Sequence, residues 1–166
     1  MTTATPPCNR SVAAADPRLA VLLRRQALRA WRKPLAVLMP KGYLRSPLVA
    51  SPLEAFTSGR FRTVLPDDVP EAGVERVLLC SGKIAHELRT ERFKRQAKHV
   101  AIVTLEQLYP FPEADLVQEI SRYPGAGKLV WVQEEPANMG ALGYVRPLLQ
   151  RLAGTMHVTS VKRSAS

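Results

Sequence analysis

The chain has 166 residues, 46% hydrophobic and 23% charged, which suits one domain with a tail and excludes a self-sufficient multidomain enzyme. No apolar run approaches about 18 residues, so no transmembrane helix is expected, and Cys8 and Cys80 make neither a disulfide framework nor a zinc set. Of the 24 Lys/Arg and 14 Asp/Glu, residues 1–66 hold eleven and two, so the net charge of +10 resides almost entirely in the first third.

In chain order, residues 1–15 read as a disordered segment, small, polar and without apolar period. Asp16 and Pro17 then open a helix carrying Leu19, Leu22, Leu23 and Trp31 at helical spacing, with Arg18, Arg24, Arg25, Arg29 and Arg32 on the other faces and Pro34 as its stop. Such a helix near an acid-poor N-terminus also has the character of a mitochondrial transit peptide, although a solvated basic face explains it as well. Leu35–Met39 is expected to be a strand. Residues 40–75 are rich in Pro and Gly, with a short helix at Leu53–Phe56. Strands are expected at Arg76–Cys80, His99–Leu105, Lys128–Gln133 and Met156–Val161. Helices are expected from Ser81-Gly82-Lys83 to about Ala97, over Glu113–Ser121, and over Met139–Leu152. The chain stops just after a strand at Lys162-Arg-Ser-Ala-Ser166, which reads as a cut.

Strands separated by helices imply crossover connections. The fold class expected is α/β: a largely parallel, mixed sheet with helices on both faces, within a single domain over residues 16–166. The absence of clean alternation within the strands suits a sheet covered on both sides.

Two segments could carry chemistry. At Cys80-Ser81-Gly82-Lys83 a helix N-terminus follows a strand, Gly82 would let a ligand approach its N–H groups, and Lys83 would add a charge. GxxxxGK[ST] is absent, so this is no P-loop. The structural alternative has Ser81 as N-cap and Gly82 as a tight turn. Glu134 and Glu135 follow a Trp-containing strand, where ligands meet open α/β sheets and where a general acid/base could act. Neighbours on an extended chain point opposite ways, which makes them a poor carboxylate pair. A partner contact, or a cap for a helix at Asn138-Met139-Gly140, is the simpler reading. His86, His99 and His157 have no ligand spacing, and Gly125-Ala-Gly127 is too short for a dinucleotide fingerprint.

Four segments, in order, carry a resemblance. They are Leu23-RRQALRAWRKPL-Ala36 with Pro40-Lys41 and Leu44-Arg45-Ser46-Pro47; Val77-LLCSGK-Ile84; Val100-AIVTLEQLYPFP-Glu113; and Val130-WVQEEPANMGA-Leu142. Over residues 20–166 the chain resembles the C-terminal region of the E1 component of 2-oxoglutarate dehydrogenase. That family is homodimeric, uses thiamine diphosphate and Mg²⁺, decarboxylates 2-oxoglutarate and passes the succinyl group to the lipoyl arm of E2 in the citric acid cycle. The resemblance implies a transketolase-type C-terminal domain, with the cofactor-binding domains upstream. It therefore implies no catalytic, cofactor-binding or metal-binding residue in this chain, and no cofactor for the chain alone. Lys41-Gly42-Tyr43 stands where the family usually has Lys-Ser-Leu, and Leu142 where an aromatic is common.

The role implied is architectural. Glu134, Glu135, Asn138 and Met139 are the candidate contacts to upstream E1 domains or to the second subunit. Some lineages bind nucleotide or acyl-CoA effectors near this domain, which makes Arg24 and Arg25 candidate effector contacts beside Ser81, Gly82 and Lys83, the candidate anion contacts at the helix N-terminus. Expected partners are the upstream domains, a second E1 subunit and the E2 succinyltransferase, with no membrane and no specific nucleic acid. The expected location is the cytoplasm in a bacterium or the mitochondrial matrix in a eukaryote. A gene fragment, a misplaced start or a split gene would each produce such a chain. The alternative is a free-standing regulatory or polyanion-binding module that uses the basic N-terminal third.

Overall fold

A computed structural model describes residues 17–30, 33–34, 36, 41–43, 46–52, 54–57, 61–68 and 72–164. The chain divides into two compact units, Met1–Phe61 and Arg62–Ser166.

The first unit holds helix α1 (Pro17–Leu28), single 3₁₀ turns at Lys41–Tyr43 and Pro47–Val49, and the one-turn helix α2 (Glu54–Thr57). Pro17 opens α1, where a missing N–H is harmless. The helix ends at Leu28, well before Pro34. Leu23 is 52% exposed and Leu28 75% exposed. Leu23, placed by its spacing on the apolar face of the helix, is thus solvent-exposed, although α1 meets the one-turn helix α2. Arg24 and Arg25 are exposed, and the Arg25 guanidinium lies 5.1 Å from the centre of the Phe61 ring. The side chains of Leu19, Leu22 and Trp31 lie outside the described residues. So does nearly all of the expected Leu35–Met39 strand, of which Ala36 is in neither helix nor strand.

The second unit is the α/β body. Its elements are β1 (Val64–Leu65), β2 (Arg76–Cys80), α3 (Ile84–Arg95), β3 (Val100–Leu105), α4 (Glu113–Ile120), β4 (Lys128–Pro136), α5 (Leu142–Leu152) and β5 (His157–Arg163). The sheet order is β1-β3-β2-β4-β5. All pairings are parallel except the short antiparallel edge β1, where Val64 faces Leu105. The mixed, largely parallel sheet expected from the sequence is present.

Side-chain alternation splits the core in two. Val77 and Leu79, Ala101 and Val103, and Leu129 and Trp131 face α4 and α5, meeting Leu116, Ile120, Val145 and Leu149. Cys80, Ile102, Val130 and Val132 face the other way, against Ala85, Ile84 and Leu88 of α3. Topology explains why helices cover both faces. The chain steps from β2 to β3 in one lateral direction, then from β3 to β4 and β5 in the other. Crossovers of one hand taken in opposite directions place their helices on opposite faces.

The β1 side of β3 is finished by side chains. The buried Asp67 carboxylate accepts the Ile102 N–H and a two-pronged donation from Arg92, with Arg92 Nη2 at 3.0 Å from Oδ1. Arg92 Nη1 also donates to the Val100 carbonyl at 3.1 Å, and Arg89 Nη2 donates to the Ile102 carbonyl at 3.2 Å. A strand edge left unsatisfied in the interior is costly. These three side chains act as a substitute strand.

Candidate functional site

Strands β2 and β4 are neighbours whose following helices leave for opposite faces of the sheet. Their two loops must diverge, and a crevice opens beyond the strand ends. This is the topological switch point, where ligands meet open α/β sheets. A cavity of about 440 Å³ lies there, walled by Ile84, Leu108, Trp131 and Tyr144, with Ser81 and the Gln133–Glu135 segment at its polar side. The Tyr144 ring meets Phe111 edge to face, with centroids 6.2 Å apart.

The two sequence-predicted segments meet here. Lys83 Nζ lies 2.5 Å from Glu134 Oε1 and 3.2 Å from Glu87 Oε1. The hydrogen bond to Glu134, then that to Glu87, pushes the Lys83 ammonium up to about 12. Lys83 is therefore a held cation, neither nucleophile nor base at neutral pH. Glu135 is solvent-exposed, and its Oε2 lies beside Gly140. The two glutamates thus have separate surroundings, as neighbours on an extended chain should.

Both local expectations about capping are corrected. The N-cap of α3 is Lys83, not Ser81, because Gly82 at φ +75° turns the chain once more before the helix begins. The N-cap of α5 is Ala141, with no side-chain cap bond. Asn138 and the 59%-exposed Met139 sit in the turn before it and face outward.

The residue that organises this turn is Gln133, which the sequence reading did not single out. It is buried at the end of the apolar run of β4. Its Oε1 accepts from the Trp131 indole N–H and from the Leu142 backbone N–H, both at 3.0 Å. Its Nε2 donates to the carbonyls of Glu135 (3.2 Å), Pro136 (3.0 Å) and Met139 (2.8 Å). The Leu142 N–H is one of the orphan donors of a helix N-terminus. Gln133 therefore caps α5 from the sheet. A polar residue continuing an apolar strand was the available signal.

The crevice does not suit thiamine diphosphate with Mg²⁺. The charged side chains that line it, Glu134 and Glu135, are both acidic, and Lys83 beside it is shared between Glu134 and Glu87. A diphosphate would meet repulsion there. Among the described residues no group of three His, Cys, Asp or Glu is placed to hold a metal ion. His86 lies on α3, His99 before β3 and His157 at the start of β5. Arg24 and Arg25 belong to α1 of the other unit.

A family model described as 2-oxoglutarate dehydrogenase C-terminal matches residues 50–166. The chain belongs to this family. The 2-oxoglutarate dehydrogenase E1 component of Cupriavidus necator is 44% identical over 127 residues, covering 75% of this chain and 13% of that protein. The protein of the same name from Coxiella burnetii is 44% identical over 124 residues, covering 72% of this chain and 13% of its own length. The 2-oxoadipate dehydrogenase complex component E1 of Xenopus laevis is 45% identical over 134 residues, covering 78% of this chain and 14% of that protein. The chain thus spans about one eighth of the length of the first of these relatives. The α/β body, Arg62–Ser166, lies within the matched segment. The switch-point crevice is accordingly a feature of an E1 C-terminal domain.

Proposed function

We propose that the chain serves as the C-terminal module of an E1 component. The whole enzyme would decarboxylate 2-oxoglutarate and pass the succinyl group to the lipoyl arm of E2. The family match over residues 50–166 carries this reading. Thiamine diphosphate would supply the electron sink for decarboxylation, held with Mg²⁺ by upstream E1 domains.

The module's own role is architectural. The outward-facing turn with Glu134, Glu135, Asn138 and Met139 contacts those upstream domains or the second E1 subunit, with E2 as the further partner. The setting is a bacterial cytoplasm or a mitochondrial matrix. The Arg24/Arg25 helix is a subsidiary anion contact in the assembled enzyme, and the Ser81–Lys83 turn becomes one only where docking draws Glu134 away from Lys83. A second reading concerns the substrate. Similarity to an E1 named for 2-oxoadipate equals that to E1 proteins named for 2-oxoglutarate. This segment then carries what both enzymes share, and the choice of 2-oxo acid is made elsewhere.

The test is turnover by the purified chain with thiamine diphosphate, Mg²⁺, 2-oxoglutarate and ferricyanide. No reduction above a heat-killed control is expected. Sustained turnover would overturn the architectural reading.

A further inference from the structure

One side chain makes five hydrogen bonds at the turn between β4 and α5, beside the backbone bond from the Met139 N–H to the Pro136 carbonyl. The two Nε2 protons of Gln133 are shared among three turn carbonyls, while its Oε1 takes the indole and helix N–H groups. Gly140 closes against the same amide: at φ +69°, a Cβ there would lie 3.1 Å from both Oε1 and Nε2 of Gln133. The amide could not give way without breaking its own bonds. Such a turn has its outward shape before anything touches it, and preorganisation of this kind lowers the cost of docking.

We propose that Gln133 is the positioning residue of the contact turn: by donating to the carbonyls of Glu135, Pro136 and Met139, it fixes Glu134, Glu135, Asn138 and Met139 in their docking arrangement. The role rests on the reading of this turn as a contact to the rest of E1. Volume and burial alone would be met by any side chain of similar size. The donor function would not.

Gln133→Glu separates the two. An ionised carboxylate can still accept from Trp131 and Leu142, but it turns a lone pair toward three carbonyls. Once protonated it donates again. The carbonyls favour the neutral form, so the introduced carboxyl should titrate above the usual value of about 4.3. Glu134, Glu135 and Tyr144 line the same cavity as Gln133, with Lys83 paired to Glu134, and the wild-type chain, which carries all four, supplies the reference profile.

The experiment is hydrogen exchange of the full chain, corrected for intrinsic rates. The probes are the Met139 N–H, bonded to the Pro136 carbonyl, and the Leu142 N–H. At pH 7, Gln133→Glu should lower protection at the Met139 N–H by roughly tenfold or more, the equivalent of at least one net hydrogen bond, while the Leu142 N–H, whose acceptor remains, should lose less. Amides of β3 should keep theirs. Acidification should restore part of that protection, because the protonated carboxyl regains one of the two donor hydrogens. In a Trp31→Phe background, Trp131 emission should follow the same titration. Gly140→Ala attacks the contact from the other side with Gln133 in place, and it carries the test should Gln133→Glu not fold. It should loosen both the Met139 and the Leu142 amides without any pH reversal. Unchanged Met139 protection in either folded variant, or a loss in Gln133→Glu that acid does not even partly reverse, would overturn the proposal. Association with an E1 truncated before this segment then tests the contact itself. A loosened turn with undiminished association would remove the contact reading and leave the positioning role standing.

Discussion

Replacing Asp67 by Ala should be among the most damaging single changes available in the α/β body. The carboxylate is 3% exposed, and it accepts from both terminal nitrogens of Arg92, from the Ile102 N–H and from the Asp68 N–H. Its removal leaves the Arg92 side chain, 16% exposed, with an uncompensated charge, and it orphans a strand donor in the core. Breaking a buried pair from one side costs about 3–5 kcal/mol. Against a typical domain stability of about 5–15 kcal/mol, that takes a large share. The Arg92→Leu change should cost less than this, because Asp67 keeps its two backbone donors. The double variant should fall short of additivity by roughly 1–3 kcal/mol. Urea unfolding followed by far-ultraviolet circular dichroism measures all three. A loss below about 1 kcal/mol for Asp67→Ala, or strict additivity, would refute the idea that this ion pair finishes the β3 edge.

Burial pushes the Cys80 thiol from 9.0 up to about 11, with Arg89 partly opposing it. The folded thiol thus binds its proton more tightly than the unfolded one. Its stabilisation is complete below pH 9 and is lost as pH rises toward 11. Relative to Cys80→Ala, the wild-type chain should lose roughly 2–3 kcal/mol across that window, and a parallel pH profile for the two would contradict the assignment. The exposed Arg24 and Arg25 should bind heparin or RNA weakly near 50 mM salt, without base preference, and the binding should be gone by roughly 200 mM. A salt titration of fluorescent RNA against the chain and its Arg24→Ala/Arg25→Ala variant reads this, and sequence-selective binding at the higher salt would favour a nucleic-acid module instead.

The three central strands were legible because each is a short apolar run bounded by polar residues: Val77–Cys80, Val100–Leu105 and Leu129–Val132. A buried parallel strand has no other local requirement. Edge strand β1 was not legible. It is two residues long, and its place depends on non-local bonds such as those from the Glu106 and Gln107 N–H groups to the Thr63 carbonyl. The switch-point crevice was half legible. Glu134, Glu135 and Lys83 were expected near strand ends, but only the tertiary fold pairs Lys83 with Glu134. Asp67 reads as an ordinary turn residue after Pro66, and nothing near it in sequence announces Arg92, 25 residues away. Capping was misread at Ser81 because a left-handed glycine inserts a turn that composition alone does not position.

We propose that this chain completes an E1 enzyme without contributing its chemistry, and complementation reads this most plainly. Cupriavidus necator E1 can be truncated to remove the 127 residues that match this chain. The truncated enzyme and the purified chain are then assayed separately and mixed, with thiamine diphosphate, Mg²⁺ and 2-oxoglutarate. Each is expected to be inactive alone, and mixing is expected to restore saturable decarboxylation, with the Gln133→Glu chain restoring less at neutral pH. Full activity of the truncated enzyme by itself, or turnover by the chain by itself, would contradict it.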